Sequence, residues 1–158
     1  MAFKKVLKKS LNCVELISRN DDALDLESSN IEEYLEDPIA NRKKLVFKSG
    51  KEPTIFLCNF ELSGKEQAII QDSMMNGLND DNQPKISLGN YAYVVVRMCL
   101  KDIKNPPNET DIIEFKKDGR GYVLPSVMDT LHKCGLVNEI FNHYINLTQT
   151  EVNKNIKN

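Results

Sequence analysis

From Thr54 to Leu62 apolar and polar residues alternate, and the next four residues, Ser63-Gly64-Lys65-Glu66, spell the start of a helix. Successive side chains of an extended chain point to opposite faces. Phe56, Cys58, Phe60 and Leu62 therefore line one face, and Asn59 and Glu61 take the other. At the helix start Ser63 and Glu66 can each satisfy a backbone amide that has no partner within the helix, the reciprocal arrangement of a capping box. The helix is expected to run to about Asn76, with Ala68, Ile69 and Met75 inward and Gly77 as its stop. Upstream, Leu45-Val46-Phe47 reads as a short strand and Ser49-Gly50-Lys51 as a turn, giving a hairpin followed by a helix. The expected class is α+β: a small antiparallel sheet or hairpins packed against roughly three to four helices in a single domain.

The remaining segments fit that class. Residues 1–20 have an irregular apolar spacing that suits either a helix or a strand. An acidic loop, residues 20–37, ends in a short helix from Ile31 to Glu36 stopped by Asp37-Pro38. Ser87 to Ile103 reads as a buried helix despite its three consecutive valines, ending before Asn105-Pro106-Pro107. Arg97 inside it must reach solvent or an acidic partner, because a buried unpaired guanidinium is too costly. Ile112–Phe115 and Tyr122–Leu124 flank a glycine-containing turn and read as a second hairpin. Ser126 is expected to open a helix that stops at Gly135, and a last helix begins near Val137, with Val137, Ile140, Phe141, Tyr144 and Ile145 inward and Leu147 as a further inward candidate. The domain is taken as residues 1–150, with 151–158 a polar tail.

Composition narrows the function classes. A chain of 158 residues buries roughly 70% of the surface its unfolded form exposes, enough for a core without disulfides or a structural metal. The 21 basic and 23 acidic residues nearly cancel, so a broad polyanion-binding surface is not expected. The longest apolar run, Tyr91 to Val96, is far short of the ~20 residues that cross a bilayer. The lysines near the N-terminus lack the apolar stretch of a secretory signal. Cys13, Cys58, Cys99 and Cys134 form no C-x-x-C pair and sit among apolar neighbours, which suits reduced, buried thiols in a cytosolic protein.

The search for chemistry returns binding surfaces and no catalytic group. His132 and His143 fall on separate helices, and two isolated positions do not make a metal site or a nucleophile–base pair; partly exposed helix histidines are expected. Asn79-Asp80-Asp81-Asn82 lacks the central glycine and distal glutamate of a calcium loop. Gly119-Arg120-Gly121 could offer an anion its amides and Arg120, although a hairpin turn needs glycines for backbone reasons alone. The adjacent acidic and basic blocks are the remaining candidates for a partner surface: Asp21, Asp22, Asp25, Glu32 and Glu33 against Arg42, Lys43 and Lys44, to which Arg120 of the glycine-flanked turn is added as a separate candidate. Pairing within one molecule is preferred over pairing between neighbours.

The stretch from Gly50 to Glu66, with Leu62-Ser63-Gly64-Lys65-Glu66 closing a strand and opening a helix, resembles small structural and assembly proteins of tailed bacteriophages, in particular tail assembly chaperones. The likeness spans about residues 45–150; the acidic segment 20–37 and the lysine-rich start have no counterpart. It implies a protein that is not an enzyme and needs no cofactor or metal. Its partners would be other phage structural proteins of the tail or head–tail region, with homo-oligomerisation as an option. It would work in the host cytoplasm, either leaving the particle or entering the virion; membrane and nucleic acid are not implied as partners. The alternative is a small inhibitor or regulatory binder of a host protein that uses the acidic segment.

Overall fold

The computed structural model describes residues 10–78, 81, 84–106 and 115–156. The lysine-rich start, most of the Asn79–Asn82 connection, and Ile112 to Glu114 of the second hairpin lie outside the described residues. The architecture is α+β, with a three-stranded antiparallel sheet packed against helices.

Of the alternating segment, residues 54–62, only Ile55–Cys58 forms the central strand, and Asn59 to Leu62 leave the sheet before the helix starts. Strand β1 (Val14–Leu16) pairs with β2 (Ile55–Cys58) in the register Val14↔Cys58 and Leu16↔Phe56. Residues 1–20 thus contribute a strand. On its other side β2 pairs with Leu100–Lys104, Ile55 facing Lys104 and Cys58 facing Leu100, with an irregularity between Leu57 and Cys58. Phe56, Cys58 and Phe60 are buried, as the alternation requires.

The expected hairpin between residues 45–47 and 54–62 does not form. Leu45 to Phe47 instead lies against the acidic segment through the single bridge Leu24↔Phe47 and the hydrogen bonds from Asp25 N–H to Val46 O (2.9 Å) and Lys48 N–H to Ala23 O (2.8 Å). Both sides of β2 are occupied by β1 and the strand at residues 100–104, partners distant in sequence that local patterning does not reveal. The turn is present: Gly50 has φ +76°, a conformation open to glycine.

Helix α1 (Ile31–Glu36) has the expected bounds, its first turn capped by Asn30, whose side chain accepts from Glu33 N–H at 3.2 Å. With a 3-10 turn at Arg42–Lys44 it closes a small second core of Ile17, Leu24, Tyr34 and Leu45. The acidic and basic blocks therefore share one folded unit.

Helix α2 (Gly64–Met74) carries the complete capping box. Its inward residue is Ile70, while Ala68 is exposed and Ile69 and Met75 are 40% and 52% exposed. The helix touches the core along a narrow line on its neighbour α3, so an inward set chosen by apolarity misplaces the buried face. Gly77 is not a C-cap: the chain passes directly into β3 (Met75–Leu78), which pairs antiparallel with β4 (Pro84–Ile86) in a two-stranded sheet separate from the central one. Helix α3 (Leu88–Cys99), capped by the Ser87 side chain, buries Ala92, Val95, Val96, Met98 and Cys99. It ends earlier than its apolar run, because Leu100–Lys104 is taken up as strand β5 beside β2.

Helix α4 (Pro125–Lys133) begins one residue before the expected serine cap, with Leu124 at the cap and Pro125 at the first helical position, where a missing N–H costs nothing. Gly135, at φ +73°, ends it as expected. Helix α5 (Leu136–Ile156) buries Val137, Ile140, His143 and Leu147, and its backbone continues into the segment read as a polar tail. The structure thus has five α-helices among the described residues, one or two more than expected.

Candidate functional site

The capping box also builds one wall of an open cleft. Ser63 Oγ accepts from Glu66 N–H and Glu66 Oε1 from Ser63 N–H, both at 3.1 Å. The other carboxylate oxygen of Glu66 accepts from the Tyr122 hydroxyl at 3.2 Å. Across the cleft, β5 supplies Lys101, whose Nζ lies 5.7 Å from the centre of the Tyr122 ring. The volume enclosed is about 640 Å³, and Lys65, Arg120 and Ile69 complete the lining.

Arg120 and Tyr122 are presented by a turn that the structure holds firmly. Asp118 Oδ1 accepts from the backbone N–H groups of Arg120 (2.8 Å) and Tyr122 (3.0 Å). Gly121 supplies φ +83°. The other Asp118 oxygen meets the Arg97 guanidinium at 3.0 Å, and Arg97 Nε donates to Val123 O at 3.0 Å. Arg97 thus finds the acidic partner its helix required, and in doing so ties the turn to the buried helix α3. These backbone donors, led by Tyr122 N–H, hold the Asp118 carboxyl below its ordinary value.

Electrostatically the cleft gathers three cations, Lys65, Lys101 and Arg120, around one carboxylate. Partial burial pushes Glu66 up, but the donors from Ser63 and Tyr122 and the charge of Lys101 outweigh it, and its carboxyl sits below the ordinary value. Tyr122 moves up, through partial burial and then the Glu66 charge, so its hydroxyl stays a donor. At neutral pH the cleft is net cationic and open to solvent. It can receive carboxylates or other anionic oxygens.

Of the nine residues proposed from sequence as a partner surface, only Arg120 lies in this cleft. The other eight are grouped in the unit around Tyr34. Asp21 Oδ1 accepts from Ala23 N–H (2.8 Å) and Oδ2 from Thr54 N–H (2.9 Å), so it orders a turn and joins it to the start of β2. Asp25 accepts from the N–H and hydroxyl of Ser28. Glu33 pairs with Lys44 at 3.2 Å, within the molecule and half-exposed. The Arg42 guanidinium lies 5.0 Å from the Phe47 ring centre. Asp22, Glu32 and Lys43 are exposed. Lys65, Lys101 and Tyr122 were not among the partner-surface candidates: each is an ordinary residue of its own segment, and only tertiary packing makes them neighbours.

The thiols and imidazoles also distribute differently from expectation. Cys58 and Cys99 are buried, and burial pushes both thiols up, Cys99 to about 12, so neither is a thiolate at neutral pH. Cys13, in the bend before β1, and Cys134, the C-cap of α4, are exposed. His132 is exposed, whereas His143 is buried under α1, edge-on to Tyr34 with ring centres 6.1 Å apart. Among the described residues no three His, Cys, Asp or Glu side chains gather to hold a metal ion, and no helix is long and apolar enough to cross a membrane. Comparison with known proteins finds no family model, curated protein or solved structure that matches the chain.

Proposed function

We propose that the chain is a non-enzymatic protein-binding factor, an assembly or particle component of the tailed-phage kind that engages other phage structural proteins. The observation that carries the reading is an apolar surface at the root of the β3–β4 hairpin. Among the described residues five large apolar side chains stand exposed, and three of them, Ile69, Met75 and Leu88, belong to the stretch formed by α2, the hairpin and the start of α3. Leu88 is 69% exposed beside the helix cap, and Ser87 N–H donates to Met74 O at 2.9 Å, which brings Met75 and Leu88 to the same junction. Neither strand of the hairpin joins the central sheet, so outer backbone edges accompany these side chains. Covering Met75 and Leu88 would contribute on the order of 1 kcal/mol each.

The acidic segment supports the inhibitor alternative less well, since Asp21, Asp25 and Glu33 are engaged in internal contacts. The test is co-expression of the chain with the products of the genes flanking its own, followed by size-exclusion chromatography. Co-elution with a structural protein of a phage particle, lost in the double variant Met75→Glu/Leu88→Glu, is the expected result. Co-elution with none of them, or binding unaffected by the double variant, would refute the reading.

A further inference from the structure

We infer that the cationic cleft at the start of α2 is the docking site for the acidic outer face of helix α1 in a second copy of the chain, an inference that rests on the protein-binding reading above. The cleft draws its charge from three separate elements: Lys65 from α2, Lys101 from β5 and Arg120 from the 118–122 turn. Glu66, the carboxylate among them, is already committed to Ser63 and Tyr122. Lys65 and Arg120 are exposed, and among the described residues no carboxylate pairs with either side chain.

The complementary surface is carried by the same chain. Glu32 and Glu36 stand one helical turn apart on α1, both exposed, and Asp22 and Glu27 are exposed in the adjoining turns. Glu33, in contrast, is held by Lys44, which leaves Glu32 and Glu36 as the outward pair. Neither outward glutamate has a hydrogen-bond or ion-pair partner among the described residues.

One molecule cannot bring these two surfaces together. The α1 unit is fastened at the end of β1 and the start of β2, through Ile17 N–H to Tyr34 Oη (2.9 Å) and Thr54 N–H to Asp21 (2.9 Å). The cleft lies past the opposite end of β2, at Ser63, and beside the start of β5, where Leu100 faces Cys58. Because β1 and β5 are the two edges of the sheet, the surfaces occupy diagonally opposite corners. A contact between unlike patches of two copies is head-to-tail, and repeated it closes into a ring or extends into a filament.

The test is sedimentation of the full chain over a concentration series, first in wild type with added salt and then in charge-reversed variants. Association should weaken at least about tenfold between about 0.1 M and about 1 M salt, over which the Debye length falls from about 10 to about 3 Å. Reversing the cleft (Lys65→Glu/Arg120→Glu) or the helix face (Glu32→Lys/Glu36→Lys) should each weaken it by roughly a hundredfold, since like charges then meet. Carrying both reversals in one chain should restore it, with circular dichroism confirming that each variant is folded. An oligomer indifferent to salt and to both reversals overturns this contact while leaving protein binding intact as the function. A chain that stays monomeric at all concentrations also overturns it, as does an Arg120-dependent uptake of inorganic phosphate or an oligonucleotide in place of self-association.

Discussion

His143 should make the protein lose stability as pH falls from neutrality, by an amount its surroundings set. His143 is 3% exposed, lines a small apolar cavity together with Leu16, Ile17, Phe56 and Ile140, and has the Tyr34 ring edge-on. The titratable neighbours offer little help to an imidazolium. Tyr34 is pushed up by burial and stays neutral, and the Glu139 carboxylate is engaged by the Ser18 hydroxyl (2.8 Å) and Arg19 N–H (2.7 Å). Burial lowers the His143 pKa from the ordinary 6.5 to about 4. An unfolded chain therefore takes up this proton near 6.5 and the folded chain only near 4. Between those values the unfolded state binds more protons, so stability is full above pH 6.5 and declines as pH falls towards 4. At about 1.4 kcal/mol per pH unit, the decline amounts to about 3 kcal/mol. Urea denaturation of wild type and His143→Phe at a series of pH values measures it. Subtracting one curve from the other cancels the carboxylates common to both, and the difference should move by about 3 kcal/mol in favour of the variant as pH falls from 7 to 4. A difference that stays flat over that range would refute the reasoning, as would an imidazole seen by NMR to titrate near 6.5 in the folded protein.

Ser63→Ala should cost about 1 kcal/mol by removing the cap of α2; adding Glu66→Ala should cost less than the two single effects combined, and denaturation of the three variants checks it. Arg97→Met leaves the Val123 carbonyl without its charged donor and frees the 118–122 turn. A loss of about 1.5–3 kcal/mol is expected by urea denaturation, and Arg97→Lys, lacking the forked geometry, should recover only a fraction of it. A thiol reagent added to the native protein should modify Cys13 and Cys134 quickly and reach Cys58 and Cys99 only on unfolding; mass spectrometry counts the adducts.

What the amino-acid sequence determined by itself are the features whose causes span a few residues. The capping box at Ser63 and Glu66, the helix from Ile31 to Glu36 stopped before Pro38, the Ser87 cap and the left-handed glycines at 50, 121 and 135 all arise from bonds or sterics within one turn of chain. The buried face of β2 was equally legible, because a strand's alternation exposes its inward residues to view. Arg97 marks the boundary: its need for an anion follows from its apolar surroundings, but Asp118, 21 residues on, is selected by the fold.

Tertiary structure decided everything that depended on a choice among distant partners. It gave β2 two neighbours from residues 14–16 and 100–104 in place of the adjacent 45–47, and it ended α3 at Cys99 although the apolar run continues. It buried His143 beneath Tyr34, and it turned Ile69 and Met75 outward. It also assembled the cleft, whose cations lie at positions 65, 101 and 120, too far apart for any local period to relate them. The physical reason is common to all of these. A cap or turn is settled by the geometry of neighbouring peptide groups, whereas strand partners, buried faces and converging charges are settled by which surfaces bury the most apolar area together, a quantity defined only for the whole molecule.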